Sequence, residues 1–240
     1  MLSEIDLQDI LFLDIETVPQ HKAYSDVDEK SQEFWEKKSS FFRSEEESAS
    51  DVYERAGIYA EFGKIICISV GILTGIREKK GLRIKSYAHD DEKSLLEEFL
   101  GMLMKYKGNR TIYLCAHNGK EFDFPYLARR ILINRLKLPE ALDIAGKKPW
   151  DVRHLDTLEL WKFGDYKHYT SLDLLSSIFK IPSPKSDIDG SKVAGIYWKE
   201  SDLSRIVEYC QNDVIAIAQL VMRYTNRELI DSDKIEIVKE

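Results

Sequence analysis

The chain has 240 residues, 43% of them hydrophobic and 32% charged, and a net charge of −7. That composition suits a globular protein with one sizeable core, and the length admits one domain or two. It excludes a membrane-spanning class, because the longest apolar run, IICISVGIL, is far too short to cross a bilayer.

The net acidity argues at first against a nucleic-acid partner, but the acid is unevenly spread. Residues 1–62 hold 6 Lys/Arg against 16 Asp/Glu and so carry −10, leaving +3 on the rest of the chain. The start, MLSEIDLQDI, is acidic and lacks the basic opening and small-residue cleavage site of a secretory signal. Cys67, Cys115 and Cys210 stand singly in apolar segments, the pattern of core thiols in a reduced, cytoplasmic protein.

The first element, ILFLDIETVP, reads as a buried strand over residues 10–16. Side chains alternate along a strand, so Asp14 and Glu16 share one face. Two carboxylates about 4 Å apart repel by on the order of 4 kcal/mol at an effective dielectric near 20. The next stretch, about 20–62, is polar and charged with EFW and SFF embedded, and is too long for an ordinary connection. It is expected to be a helical or lid-like insertion, whose acidity also offers a docking surface for a protein partner.

KIICISVGI (64–72) and GLRIKSYAH (81–89) follow as strands joined by a polar hairpin loop. DDEKSLLEEFLGMLMKY then places Leu95, Leu96, Phe99, Leu100 and Leu103 on one helical face behind an acidic N-terminus. TIYLCAHN is a strand, and PYLARRILINRL a helix with Pro125 in its first turn. DVRHLDT reads as a short strand, and TSLDLLSSIF opens with a Thr170–Asp173 capping box. The longest helix spans about 202–226. This order predicts one α/β domain over residues 1–240 with a mixed sheet.

Two further acids stand in unusual places. Asp123, in CAHNGKEFDFP, lies where a helix begins, and on local grounds it reads as a cap. Asp213, in EYCQNDV, falls in the apolar stripe traced by Ile206, Cys210, Ile217 and Leu220, with Tyr209 one turn earlier. An inward carboxylate there is either half of a buried ion pair or a metal ligand. Asp14, Glu16, Asp123 and Asp213 taken together are a hard-oxygen set without His or Cys, suited to Mg²⁺ or Mn²⁺.

These residues resemble the DEDD superfamily of 3′–5′ exonucleases. Its D-x-E motif is met by Asp14 and Glu16, N-x₃-F-D by Asn118, Phe122 and Asp123, and Y-x₃-D by Tyr209 and Asp213. The last is the mark of the tyrosine subclass, DEDDy. Roughly residues 10–225 look like the stand-alone bacterial proteins related to the proofreading domain of family B DNA polymerases. The resemblance implies a ribonuclease H-like fold, a five-stranded mixed sheet with helices on both faces. It implies hydrolysis of phosphodiesters from the 3′ end of DNA, at single strands or frayed ends, with release of nucleoside 5′-monophosphates. It also implies two divalent cations, with Asp14 bridging, Glu16 and Asp213 on the nucleophile side, and Asp123 on the second ion. Tyr209 would orient the attacking water.

Substrate contacts are expected from Asn118 and Phe122, and from Tyr166, Lys167 and Lys185 in a segment where cations interleave with aromatics. Trp161 and Phe163 in that segment are expected in the core. The acids serve ribonucleases equally well, so an RNA-trimming enzyme stays open, as does a non-catalytic nucleic-acid-binding adaptor on the same fold.

Overall fold

A computed structural model describes residues 5–75, 81–108, 111–165, 169–182 and 188–238. Six strands form one sheet: β1 (Ile10–Pro19), β2 (Gly63–Thr74), β3 (Gly81–Ala88), β4 (Tyr113–Ala116), β5 (Leu155–Asp156) and β6 (Ile235–Ile237). Their order is β5-β4-β1-β2-β3-β6. β1–β2 and β2–β3 are antiparallel, while β4, β5 and β6 join in parallel. The sheet is mixed, as expected, but has six strands rather than five. β6 is three half-exposed residues on an edge, too short to show a strand period in the sequence.

β1 lies centrally, which explains its almost unbroken apolar run: neither face meets solvent. On one face Leu11, Leu13, Ile15 and Val70 pack against α2 (Glu92–Lys107) and α3 (Asp123–Ile133) through Leu96, Phe99, Phe124 and Leu127. On the other, Phe12 and Ile84 meet α7 (Leu203–Tyr224) through Val214, Ile217 and Val221. Gly71 permits this second contact, since a Cβ there would sit 2.8 Å from a Val214 methyl. Among the described residues no helix is long and apolar enough to cross a membrane.

One buried ion pair ties three elements together. Glu92, at the start of α2, accepts from Arg130 Nε of α3 at 2.8 Å and from the Ile65 backbone of β2 at 2.7 Å. Arg130 also donates to the Ala60 carbonyl at 2.8 Å, and Asn134 to Glu92 at 2.8 Å. With its lone pairs and protons satisfied this way, the pair escapes the usual penalty for burying charge.

The polar stretch 20–62 holds α1 (Glu29–Ser39), started by Asp28 accepting from the Ser31 N–H. Trp35 is wholly buried within a ring of Phe42, Tyr53, Tyr59 and Phe62, and its indole donates to the Ala49 carbonyl at 2.8 Å. The embedded aromatics thus give the segment a small core of its own.

Three shorter helices follow β5: α4 (Thr157–Lys162), α5 (Leu172–Ile178) and α6 (Val193–Gly195), the last running into a π-helical turn at Ile196–Glu200. The cap of α5 is Ser171, accepting from the Leu174 N–H, and not Thr170. Phe163 is not core. It ends α4 in the left-handed region with φ 44° and is 91% exposed, next to Gly164. Trp161 does pack, edge-on against Phe179 and flat on Tyr224.

Candidate active site

Asp14 and Glu16 reach the α7 side of the sheet from the C-terminal half of β1. Immediately after Glu16 the β1–β2 register slips, so that Glu16 opposes Cys67 and Thr17 opposes Ile65. The extra residue is a β-bulge, a device that re-aims side chains and recurs beside active sites. Glu16 is only 7% exposed.

Asp123 opens α3 without capping it: the N-cap residue is Phe122, and no side chain caps there. The Asp123 carboxyl instead takes hydrogen bonds from its own N–H and from that of Ile15, which aims it at β1. The local reading of Asp123 as a cap therefore fails. Asp213, on the buried side of α7, forms no ion pair among the described residues. Its carboxyl accepts from the Tyr209 hydroxyl one turn back.

The four acids act on one another. Burial raises the Asp14 carboxyl well above its ordinary value, and the charges of Glu16, Asp213 and Asp123 raise it further. Glu16 is raised by burial, then by Asp213, Cys67 and Asp123. Asp123 is pushed up to about 8, chiefly by burial, against the pull of its two backbone hydrogen bonds. Asp213 is pushed up to about 7 by burial and by Asp173. Burial and the same acids drive the Tyr209 hydroxyl far above its usual range, so it is a proton donor at neutral pH.

Such an arrangement is costly unless a cation completes it. One oxygen of Asp14, Oδ2, is buried with no hydrogen-bond partner. Ligand atoms of Asp14, Glu16 and Cys210 lie within 4.8 Å of one another. The oxygens suit a hard divalent ion. The Cys210 thiol does not: burial holds it protonated, and it donates to the Asp14 carbonyl at 3.5 Å. Asp14 and Glu16 thus fit a divalent-metal centre, with the thiol as a support.

Of the expected substrate contacts, Asn118 and Phe122 lie beside Asp123. Asn118 takes a left-handed φ of 62°, and Phe122 packs 5.3 Å from the Tyr126 ring. Tyr166, Lys167 and Lys185 lie outside the described residues. Gly119 makes room in this loop, since a Cβ would strike Ala116 and the Phe124 ring.

Three residues around the site escape a reading of the sequence. Asp156, 2% exposed at the end of β5, accepts from the N–H groups of Asn118 at 2.9 Å and Lys120 at 3.1 Å, fixing the loop that leads to Asp123. Asp173 faces Asp213 and Tyr209 from α5. Tyr169 stands edge-on to His117, and its hydroxyl is raised by burial and by Asp156, Asp123 and Asp213. A DT dipeptide at a strand end and an acid in a helix's first turn are the only signals the sequence carries for the first two. Both are the ordinary signals of helix starts. His117 is structural, with both ring nitrogens bonded, to Thr157 Oγ1 and the Thr170 carbonyl at 2.9 Å each.

The fold is shared with a solved polymerase. The chain is similar to the family B DNA polymerase from the hyperthermophilic archaeon Pyrobaculum calidifontis, with a TM-score of 0.55 and 13% identity, over 90% of this chain and 24% of that one. The chain thus spans about a quarter of the polymerase's length, and the shared architecture is a ribonuclease H-like α/β sheet. No curated protein matches it. A family model described as a predicted 3′–5′ exonuclease related to the exonuclease domain of PolB matches residues 58–235, beginning after Asp14 and Glu16. The chain belongs to this family of predicted 3′–5′ exonucleases related to the PolB exonuclease domain.

Proposed function

We propose that the protein is a DEDDy-type, divalent-metal-dependent exonuclease that removes nucleotides from the 3′ end of single-stranded or frayed DNA. What supports this reading most is the mutual charge effect of Asp14, Glu16, Asp123 and Asp213, carried on three elements with no cationic side chain paired to them among the described residues. Asp14, with its unpartnered Oδ2, would hold the divalent ions together with Glu16, Asp213 and Asp123. Bound there, Mg²⁺ or Mn²⁺ ions would supply Lewis acidity at the phosphate and make water acidic enough to attack near neutral pH.

In the reaction, water adds to phosphorus, the bond from phosphorus to the 3′-oxygen of the preceding nucleotide breaks, and that oxygen takes up a proton. A nucleoside 5′-monophosphate leaves. Tyr209, protonated and anchored on Asp213, orients the attacking water by its hydroxyl rather than taking a proton from it. Asp156 holds the 118–120 backbone so that Asn118 and Phe122 face the terminal nucleotide. The three cysteines are buried and unbridged, which supports a reducing, cytoplasmic setting.

The test is digestion of 5′-labelled single- and double-stranded DNA and RNA side by side, resolved by product length. Stepwise shortening of single-stranded DNA is expected. Trimming of RNA alone would overturn the substrate assignment, and no trimming of any substrate would overturn the activity.

A further inference from the structure

Beyond Glu16, on the same face of the sheet, a cavity of about 530 Å³ opens where the π-helical turn meets the end of β1. Lys22, Lys64, Asp90, Tyr197, Trp198 and Ser201 line it. Lys64 is the β2 partner of Val18, two residues past Glu16. That is about 7 Å along the strand, within reach of the next nucleotide of a chain whose end lies at the acids. Tyr197 and Trp198 share one apolar cluster with Tyr209 and Cys210, so the cavity and the acid site have a common wall.

Lys64 is held rather than free to swing. Its ammonium donates to the Tyr197 hydroxyl at 2.9 Å and to the Asp90 carbonyl at 3.3 Å, and lies 4.9 and 5.0 Å from the Tyr197 and Trp198 ring centres. An ammonium has three donors, and the described residues use two. Asp90, the acid of the cavity, is partnered: its carboxylate accepts from the Tyr197 hydroxyl at 2.7 Å. Trp198 is fixed by its indole N–H, which donates to the Pro19 carbonyl at 3.2 Å. Lys22 is exposed and makes no ion pair among the described residues.

The backbone here is unusual as well. A π-helical turn, Ile196–Glu200, ends at Ser201 with φ 57°, a left-handed conformation for a residue with a side chain. Such turns cluster at functional sites, where strain serves placement. Its effect is to bring two adjacent aromatic side chains to Lys64. Fixed cations beside aromatic faces are what holds single-stranded nucleic acid without regard to its sequence.

We propose that this cavity seats the nucleotide on the 5′ side of the one released, its phosphate held by Lys22 and Lys64 and its base set against Trp198. The proposal rests on the exonuclease reading and adds to it a subsite that keeps the strand engaged after each cut.

The test compares wild type with Lys22→Ala and Lys64→Met. Binding of a fluorescent single-stranded oligonucleotide is measured in chelator across a salt series. Turnover is measured on a labelled oligonucleotide and on thymidine 5′-monophosphate p-nitrophenyl ester, which carries only the scissile phosphate and no preceding nucleotide. Each variant is expected to bind the oligonucleotide about tenfold more weakly, the loss of one charge-assisted hydrogen bond. Each is expected to lower the salt slope by about 0.7, one phosphate contact on a single strand. Turnover of the ester is expected to stay at the wild-type rate, which marks an intact fold. Lys22, being exposed, keeps the test valid if Lys64→Met misfolds. Wild-type affinity and slope in Lys22→Ala, with the wild-type enzyme cutting both substrates, would overturn the subsite alone. A wild-type protein that cuts neither substrate would overturn the exonuclease reading instead.

Discussion

At the scale of single residues, the site consists of carboxylates in places that charge would ordinarily avoid. Asp14 and Glu16 could be read from strand alternation alone, and Asp213 from its place in an apolar helical stripe, because both rules follow from backbone geometry. Asp123 could not, since an acid at a helix start has an ordinary use as a cap; only the hydrogen bond from the Ile15 N–H shows that it faces β1. Asp156 and Asp173 were hidden for the same reason. Removing the Asp213 carboxylate and removing the hydroxyl next to it should have different consequences. Asp213→Ala is expected to keep its fold, because it relieves repulsion, but to lose more than about a hundredfold in turnover, beyond what outer-shell partners typically contribute. Tyr209→Phe is expected to slow hydrolysis about a hundredfold, the lower range for positioned proton-transfer groups, with Mn²⁺ affinity close to wild type. Turnover and metal titrations on both variants decide, and a Tyr209→Phe protein that loses metal as fully as Asp213→Ala would assign the hydroxyl another role.

At the scale of elements, the site depends on β1, α3 and α7 keeping their spacing, and the Glu92–Arg130 pair is what clamps α2 and α3 to β2. Glu92→Ala leaves a guanidinium buried without its partner and should cost about 3–5 kcal/mol, while Glu92→Leu with Arg130→Met should cost less, since only the Ile65 N–H and the Ala60 carbonyl then lose their partners. Urea unfolding of the two variants measures both; equal losses would mean that packing, not charge, sets the clamp. The pair joins residues 38 positions apart, which is why no local pattern announced it. The same holds for β6, legible only once β3 offers it an edge, and for Phe163. An aromatic in a hydrophobic-looking segment reads as core until the left-handed turn at the end of α4 is seen to point it outward.

At the scale of the whole molecule, a metal-free protein should be less stable at higher pH, against the usual trend. Asp213 and Asp123 hold their protons to about 7 and about 8 when folded, against an ordinary value of 3.8. Between those limits the folded chain binds more protons than the unfolded one, so the stability is whole below about pH 4 and is lost as pH rises through 7 to 8. In chelator, Tm should fall between about pH 5 and about pH 8, and saturating Mg²⁺ should flatten the decline, since a ligand of the folded state alone stabilises it. A Tm that rises over that range without metal would contradict the burial of these carboxyls. Whether the four acids converge on shared divalent ions is tested without need of substrate by calorimetric titration of Mn²⁺ into the metal-free chain. Wild type should bind about two ions, the number a two-metal phosphodiesterase uses, and Asp14→Ala should bind neither tightly. Equal heats and stoichiometry in the two proteins would contradict the account.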